Sequence, residues 1–379
     1  MDNLVAIAGI GLTPLRPVSP DLSFRELVFE AATRAYADAG VDPRDVDGVV
    51  TVAEDLHEGT SITDEYTPDQ LGAVLKPVQT VAGDGLQGLA AACLLIRSGA
   101  ADVVVVEAHS KASNVLEHEE VLAIALDPLY ERPWGLDPHA VAALEMRRYL
   151  HEAGVPERAV AEVVVANRRR ALRNPFAAYG ADLTVEQVLT DTMVADPLRA
   201  AMMSQTADGA VVLVLAAPET ARALRGRPVM VRGIGWASDE PSLSGRPWAE
   251  ATYAHLAAAM AYRDAGLRAP GGQVDLFEVD DTYAHKQLQH LEAALGLPPG
   301  GALREGAALA AADRVNASGG HLGMGYGYDA SALMRVAVTA LQVRGEAGPM
   351  QLPGVRTAVV LSWRGVPTTT GGAVVLSAA

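Results

Sequence analysis

Two pairs of sequence segments decide the fold: VAIAGIG (residues 5–11) with AYADAG (35–40), and VMVRGIG (229–235) with AYRDAG (261–266). Each pair runs from an apolar segment ending in Gly-Ile-Gly to a helical pattern that ends at a glycine. Glycine readily adopts the left-handed conformation that closes a helix. Because the same residues recur in the same order more than two hundred positions apart, the sequence indicates an internal duplication. Chance similarity between two ordinary α/β segments is the alternative.

Both copies continue in the same way beyond these segments. After each helix, over residues 24–39 and 251–265, a short polar linker leads to another apolar strand. A glycine-rich turn, an apolar helix and a further strand follow, at 83–98 with 102–106 and at 319–343 with 356–361. The run VVVV at 103–106 is typical of a strand covered on both faces. The pattern therefore predicts an α/β fold with alternating layers of helix and sheet.

The chain divides into two predicted halves. Residues 1–225 form the N-terminal half and residues 226–379 the C-terminal half. The stretch from about 110 to 225 has mixed polarity, several prolines and an arginine run, so we interpret it as a loop domain inserted over a site. Within it, Arg169 belongs to a basic island that would attract a phosphate-bearing ligand, although a solvated helix face is the simpler interpretation.

Composition excludes several classes of protein. The chain has 379 residues, 50% of them hydrophobic, which is enough to build large cores without disulfides. A net charge of −16 argues against nucleic-acid binding, and no apolar run is long enough to cross a membrane. With one cysteine, no basic leader segment and no zinc-ligand spacing, we expect a cytoplasmic protein without a metal.

The sequence GDGLQG at 83–88 matches the GxGxxG pattern of dinucleotide-binding loops. It follows an earlier strand-helix-strand unit, however, whereas the dinucleotide fingerprint opens its domain. Glycines that merely permit a tight strand-to-helix turn explain the motif as well. Nicotinamide binding therefore remains one interpretation of this turn.

The sequence NASGGHLGMGYGYDAS at 316–331 is the richest candidate site. Asn316 begins it, Gly319 and Gly320 would allow a ligand to approach the backbone, and His321 offers a proton-transfer group. A tyrosine, Tyr326, stands between Gly325 and a second glycine. We predict that Tyr326 faces a ligand, and a tyrosine hydrogen-bonded within a core is the alternative.

A second cluster, EVDDTYAH at 278–285, occupies a predicted strand-to-helix junction. Such junctions carry the catalytic residues of many open α/β sheets. Asp280, Tyr283 and His285 are therefore candidate catalytic residues. Capping of a helix by Asp281 and Thr282 is the competing explanation.

These motifs together resemble the thiolase superfamily, in particular the sterol carrier protein-type thiolases. The resemblance covers the duplicated halves, the inserted segment, MSQTADG at 203–209 and the glycine-rich 316–331 stretch. It implies a duplicated, five-layered αβαβα thiolase fold, a homodimer and acyl-coenzyme A (acyl-CoA) thioesters as substrates.

The chain departs from thiolases at the positions that use sulfur. AGDG at 82–85 replaces the family's Cys-x-Ser-Gly turn, and LSWRG at 361–365 replaces the segment of its second cysteine. Tyr326 takes the position of the Gly-His-Pro histidine. The remaining cysteine, Cys93, reads as a buried helix residue. No acyl-enzyme can therefore form on sulfur in that turn.

With these departures the chain resembles the thiolase-like aldolases of bacterial steroid side-chain degradation. The resemblance implies retro-aldol cleavage of a β-hydroxyacyl-CoA, with Tyr283 and Tyr326 as the proton-transfer pair. It adds Gly85 and Arg364 to the substrate-binding residues, requires no cofactor beyond the coenzyme A of the substrate, and implies a small zinc-ribbon and OB-fold partner protein. A phenol is a poor base at neutral pH, so Asp280, His285 and His321 are alternative bases. A non-catalytic acyl-CoA-binding subunit and an acyltransferase with atypical residues are the alternative functions.

Overall fold

The computed structural model describes residues 4–54, 57, 62–240 and 242–379. The strands of these residues are β1 (Val5–Leu12), β2 (Gly48–Val52), β3 (Val78–Val81), β4 (Val103–Ser110), β5 (Met193–Ala195), β6 (Leu198–Arg199), β7 (Gly209–Ala216), β8 (Val229–Ser238), β9 (Leu276–Glu278), β10 (Thr357–Trp363) and β11 (Thr370–Ala378). Their α-helices are α1 (Phe24–Ala39), α2 (Thr63–Tyr66), α3 (Gly85–Arg97), α4 (His118–Ala123), α5 (Pro138–Ala153), α6 (Glu157–Ala171), α7 (Val185–Leu189), α8 (Pro218–Ala223), α9 (Thr252–Ala265), α10 (Pro270–Gln273), α11 (Ala284–Leu295), α12 (Gly301–Arg304), α13 (Ala307–Ala311), α14 (Gly320–Met324) and α15 (Ala330–Arg344).

The main sheet has two halves with the same strand order. From the outer edge of each half to the junction between them, one half runs β3-β2-β4-β7-β1 and the other runs β9-β10-β11-β8. In each half the first strand in sequence pairs antiparallel with the last, as β1 does with β7 and β8 with β11. Val315 forms a parallel bridge with Phe277 of β9. It thus takes the position in the second half that β3, paired in parallel with β2, takes in the first half. The repeated order confirms the predicted duplication, and antiparallel pairing of β1 with β8 joins the halves.

Five layers result from this arrangement. The helices α3 and α15 contact both halves of the sheet, so they lie between the two halves. The helix α1 covers the outer face of the first half, and α9 covers that of the second. The layers therefore run helix, sheet, helix, sheet, helix, which confirms the predicted αβαβα fold.

The recurring Gly-Ile-Gly segments position the outer helices. A Cβ atom on Gly11 would lie 1.8 Å from the carbonyl oxygen of Ala31, and one on Gly235 would lie 2.3 Å from that of Ala257. Real Cβ atoms do not approach backbone oxygens so closely, so these positions require glycine. The repeated tripeptide therefore records the close packing of α1 on β1 and of α9 on β8.

Most element boundaries agree with the sequence pattern. The predicted helix over 24–39 matches α1, and α15 begins at Ala330, where the glycine-rich stretch was expected to lead into a helix. The short helix α14 inside that stretch was not predicted. No helix within the described ranges combines the length and the apolar composition that a bilayer-spanning segment requires.

Candidate active site

The segments that carry the two predicted tyrosines lie side by side. Tyr283 ends the link between β9 and α11, and Tyr326 lies on the link between α14 and α15. Met203 forms a backbone bridge with Tyr283, and Thr206 forms one with Tyr326. The backbone N–H of Ala207 also donates to the carbonyl oxygen of Tyr326 at 2.9 Å. The segment 203–207 therefore pairs with the backbone of both tyrosines and holds them near each other.

Tyr283 is hydrogen-bonded to a histidine from the inserted segment. Its hydroxyl lies 2.8 Å from Nδ1 of His139, the second residue of α5. The other ring nitrogen of His139 lies 3.8 Å from a carboxylate oxygen of the exposed Glu119. Burial, followed by the charge of Asp137, raises the pKa of Tyr283 well above that of a free phenol. The buried phenol thus keeps its proton at neutral pH and has a histidine positioned to exchange protons with it.

Tyr326 is the less constrained of the two phenols. No described residue hydrogen-bonds to its hydroxyl, which would lie 3.1 Å from a Cβ atom placed on Gly365. Burial and then the Asp280 carboxylate raise the pKa of Tyr326 well above its ordinary value. The hydroxyl is therefore a protonated donor whose bonding capacity the described residues leave unused.

A third tyrosine, Tyr328, completes this cluster. Its ring lies 5.2 Å from that of Tyr326 and stacks on His57 at 4.7 Å, measured between ring centroids. Its hydroxyl is hydrogen-bonded to Nδ1 of His118 in α4. Tyr328 adopts a φ of 46°, a left-handed conformation that is costly for a bulky residue and that clusters at functional sites. The inserted segment therefore contacts two of the three tyrosines through histidines.

Asp280 and His321 form a buried pair behind Tyr326. Nδ1 of His321 lies 3.3 Å from a carboxylate oxygen of Asp280. Burial and then the Arg335 charge lower the pKa of His321 to about 3, so this imidazole is neutral at pH 7. Burial opposes ionisation of Asp280, but His321 and Arg335 outweigh it and lower the pKa of this carboxyl. Of the alternative bases, Asp280 is thus the ionised one, whereas His321 has little capacity to hold a proton.

His285 does not reach the tyrosine hydroxyls by hydrogen bonds. Its Nε2 lies 3.2 Å from a carboxylate oxygen of Glu145, and the other oxygen of that carboxylate accepts a bond of 3.0 Å from Lys286. The His285 side chain is fully buried, and burial lowers its pKa. In this structure His285 belongs to a buried ion cluster between α5 and α11, which does not support its assignment as a base.

The structure also shows what the predicted ligand-binding glycines contact. A Cβ atom on Gly319 would lie 2.6 Å from Ala171, and one on Gly320 would lie 2.0 Å from the Asp281 carboxylate. Cβ atoms on Gly325 and Gly85 would likewise lie within 2.7 Å of protein atoms. The space that these glycines leave is therefore filled by other atoms of the protein, and it is not free for a ligand.

Two other predicted binding residues also have internal partners. The amide of Asn316 accepts the Val279 N–H at 2.7 Å and donates to Gln287 at 2.7 Å. Arg169 is exposed and forms an ion pair of 2.8 Å with Asp182. These contacts favour a structural role for Asn316 and the solvated-face interpretation of Arg169.

A cavity of about 730 Å³ opens beside the tyrosine cluster. Arg364 and Val366, which flank Gly365, lie in its wall with Ala82, Leu122 and Thr368. A Cβ atom on Gly365 would lie 3.1 Å from the Tyr326 hydroxyl, so this phenol is close to the wall segment 364–366, but neither Tyr326 nor Tyr283 is among the described residues that line the cavity. We call this space the Arg364 cavity.

Three side chains, two of which line this cavity, have the donor chemistry of a metal site. Glu54, His57 and Asp329 each offer a ligand atom, and the three atoms lie within 4.8 Å of one another. Arg364 forms an ion pair with Glu54, and Nδ1 of His57 lies 3.2 Å from the Asp329 carboxylate. Glu54 is thus paired with Arg364, and Asp329 has His57 as a neighbour, while the expectation of no metal stays a prediction.

The two positions where the resemblance places sulfur carry other residues. Ala82 lines the Arg364 cavity at the first position, and the second falls within the segment 361–365, which contains Ser362 but no cysteine. The Ser362 hydroxyl donates to the buried Asp84 carboxylate at 2.5 Å, and burial raises the pKa of Asp84 to about 6. The Asp84 side chain also accepts the Leu86 N–H at the start of α3. This contact closes the turn that had suggested dinucleotide binding.

Sequence reasoning missed several of these side chains, namely Asp84, His118, His139, Tyr328 and Ser362. Tyr328 and Asp84 lie within motifs that the sequence analysis identified, so both could have been named as candidate residues. By contrast, His139 lies 144 positions from Tyr283, and no local pattern indicates that the two meet. The Asp137-Pro138 pair signals the start of a helix in the sequence. It does not indicate that His139 on this helix contacts Tyr283.

Comparisons with known proteins give a consistent result. A family model described as "Thiolase C-terminal domain-like" matches residues 235–378. The chain is 31% identical to the acetyl-CoA acetyltransferase of Methanothermobacter thermautotrophicus, over 92% of this chain and 93% of the relative. It is 28% identical to the 17-hydroxy-3-oxo-4-pregnene-20-carboxyl-CoA lyase of Mycobacterium tuberculosis, over 97% of this chain and 98% of the relative.

Among solved structures, the chain resembles one described as an Ltp2-ChsH2(DUF35) aldolase. The superposition has a TM-score of 0.85 at 26% identity and covers all of this chain and 98% of the other. The relatives therefore include both acyltransferases and carbon-carbon lyases built on one fold.

Proposed function

The chain belongs to the thiolase superfamily, and we propose that it is an acyl-CoA aldolase that cleaves a β-hydroxyacyl-CoA by a retro-aldol reaction. The observation that carries this proposal is the missing sulfur. The chain has one cysteine, Cys93, which is fully buried in α3 with its pKa raised to about 12 by burial. Ala82 stands where an acyl-enzyme would form, so a reaction without a covalent intermediate fits the site better.

The proposed reaction needs proton transfer and stabilisation of an anion. A base takes the proton of the β-hydroxyl group, and a carbonyl group forms on the β-carbon as the α–β bond breaks. The electron pair of that bond passes to the α-carbon and the thioester carbonyl as an enolate, which then takes a proton at the α-carbon. The products are a ketone or aldehyde and a shortened acyl-CoA.

The site offers one group for each proton transfer. The Tyr283 hydroxyl would receive the substrate proton while passing its own to His139, which lies 2.8 Å away. Such a relay lets a phenol with a raised pKa act as a base, because the imidazole stores the proton. The Tyr326 hydroxyl, without a bonding partner among the described residues, would donate the proton that the enolate needs.

The relatives suggest a finer substrate and partner assignment. Similarity to the Mycobacterium tuberculosis lyase supports a steroid side-chain CoA thioester as the substrate. Similarity to the Ltp2-ChsH2(DUF35) aldolase supports a complex with a small DUF35-type protein. We further propose a homodimer, since β3 is a part-exposed edge strand of the sheet and can pair with a second copy.

The proposal is tested by turnover of a β-hydroxyacyl-CoA by the purified chain with its partner protein. The assay follows the carbonyl product and the shortened thioester by chromatography. We expect Tyr283→Phe and Tyr326→Phe each to lower kcat/KM by about 100-fold or more. Tyr262→Phe is the matched control, because this buried tyrosine donates to the Ala294 carbonyl at 2.8 Å. It should stay within about threefold of the unmodified protein.

Other outcomes would contradict the proposal in separate ways. If both site variants stay within about threefold, the tyrosine roles are wrong. Binding of acyl-CoA without turnover across a panel of chain lengths would favour the non-catalytic subunit. Thiolysis of acetoacetyl-CoA would favour an acyltransferase, the function suggested by the acetyltransferase relative.

A further inference from the structure

The proposed proton relay sets a requirement on the tautomer of His139. This imidazole can take the proton of Tyr283 only if its Nδ1, which lies 2.8 Å from the Tyr283 hydroxyl, carries a lone pair. The single proton of the neutral ring must then be on Nε2. In the other tautomer Nδ1 would donate to the phenol oxygen, and the phenol could not pass its proton to the ring. The relay therefore needs a neighbour that favours the proton on Nε2.

The carboxylate of Glu119 lies on the Nε2 side of this ring. One of its oxygens is 3.8 Å from Nε2 of His139, which is an ion-pair distance and longer than a hydrogen bond. Within the described ranges, no lysine or arginine forms an ion pair with Glu119, so no permanent cation compensates its charge. The carboxylate of Asp137, by contrast, accepts the backbone N–H of His139 at 2.8 Å and caps α5. Glu119 is thus the carboxylate that is available to the imidazole ring.

Glu119 is exposed, but the helix that carries it is anchored to the tyrosine segments. His118, the preceding residue, is hydrogen-bonded through Nδ1 to the Tyr328 hydroxyl. Leu122, almost one turn further along α4, lines the Arg364 cavity and packs against the cluster of Tyr326 and Tyr328. The helix α4 also contacts α5, which carries His139. These contacts limit the positions that the Glu119 carboxylate can reach.

A carboxylate in this position acts on His139 before and after the proton transfer. Before the transfer it attracts the ring N–H and so favours the tautomer with the proton on Nε2. After the transfer it faces an imidazolium ion, whose positive charge it stabilises by Coulomb attraction. The aspartate of a serine hydrolase does the same for its histidine base from a buried position. Water and salt screen the exposed Glu119, so its effect should be smaller.

We propose that Glu119 is a positioning residue that acts through His139, by holding this ring in the tautomer that accepts the Tyr283 proton and by stabilising the resulting imidazolium. The inference rests on the proposed function, because it completes the base of that reaction. In the step, the β-hydroxyl proton of the substrate passes to the Tyr283 oxygen and the Tyr283 proton passes to Nδ1 of His139. The Nε2 proton stays on the ring, so Glu119 neither gains nor loses a proton.

The first experiment reads the tautomer of His139 without substrate or turnover. The full-length chain is labelled with nitrogen-15 histidine, and the ring nitrogen resonances of His139 are assigned by their loss in His139→Gln. We expect the proton on Nε2 in the unmodified protein and a mixture of both tautomers in Glu119→Ala. Glu120→Ala is the matched control, because Glu120 is an exposed neighbour on α4 that forms no ion pair with a described residue. It should leave the tautomer unchanged.

The second experiment is the cleavage assay of a β-hydroxyacyl-CoA. Glu119→Ala should lower kcat about five- to tenfold and leave KM within about twofold, whereas Glu120→Ala should change neither by more than about twofold. In a Tyr283→Phe background, Glu119→Ala should have no further effect, because the phenol that passes its proton to His139 is gone. Thermal unfolding of each variant checks that it is folded.

Two results would overturn this inference. One is the same His139 tautomer in Glu119→Ala as in the unmodified protein. The other is an equal loss of kcat with and without Tyr283, since the effect of Glu119 would then not pass through the relay. A different result separates the two proposals. If the tautomer depends on Glu119 but no β-hydroxyacyl-CoA is cleaved, the proposed function fails and the positioning of His139 by Glu119 stands.

Discussion

The substitution Asp84→Asn isolates the cost of ionising a buried carboxyl at the start of α3. One of its oxygens accepts the N–H groups of Leu86 and Gln87 at 2.8 and 3.2 Å, and the other accepts the Ser362 hydroxyl at 2.5 Å. An asparagine of the same shape can accept both backbone bonds and donate to Ser362. The substitution therefore removes the charge and keeps the contacts.

The magnitude follows from the pKa of Asp84. Burial is the main reason that this pKa rises from 3.8 to about 6. Between these values the folded protein holds a proton that the unfolded chain has released, so the free energy of unfolding falls as the pH rises. A shift of about two pKa units corresponds to a loss of about 3 kcal/mol once Asp84 is fully ionised. Asparagine carries no such cost.

Urea unfolding at a series of pH values measures this difference. The free energy of unfolding of Asp84→Asn, relative to the unmodified protein, should increase by about 2–3 kcal/mol between about pH 4 and about pH 7.5. The exposed Asp21→Asn is the control, and its difference should not change with pH. A difference that stays constant for Asp84→Asn, or one that shrinks as the pH rises, would refute the reasoning.

Three further predictions concern the buried interior. Cys93 should not react with a thiol reagent in the native protein and should react fully after unfolding, because it is buried with a raised pKa. Gly320→Ala should lower the free energy of unfolding by about 2 kcal/mol or more in urea titrations, since its Cβ atom would lie 2.0 Å from Asp281. Lys286→Met should cost about 3–5 kcal/mol in the same assay, because it removes the 3.0 Å ion pair of the buried Glu145. Unchanged stability in either variant would contradict the packing described here.

Local sequence signals were sufficient to predict the layered fold. Gly-Ile-Gly and the alanine-rich helices that face it are short patterns, and each records a contact between consecutive elements. Gly40, which caps α1 after Ala39, has a φ of 69°, the left-handed conformation that the sequence indicated. The duplication then supplied the second half of the fold, because the same contacts recur between β8 and α9. Consistency between two copies is stronger evidence than either copy alone.

The candidate site was less readable, because its contacts join distant segments. The clusters around Tyr283 and Tyr326 were recognised from their residue types. Their histidine contacts come from the inserted segment, whose packing no periodicity reveals. The glycines were interpreted as space for a ligand, whereas Ala171 and Asp281 fill that space at Gly319 and Gly320. Glycine in a motif shows that something approaches closely, but not what approaches.

Similarity over the whole chain cannot by itself choose between the reactions of the relatives. The packed layers that make up the fold can serve a lyase and an acyltransferase equally well. The choice depends on a few positions at the sheet edge. Acyl transfer through the enzyme needs a nucleophile at the turn before α3, and the methyl group of Ala82 cannot act as one. Retro-aldol cleavage needs only proton transfer and anion stabilisation, and the phenols with their histidine contact provide the first of these. The site therefore favours the lyase.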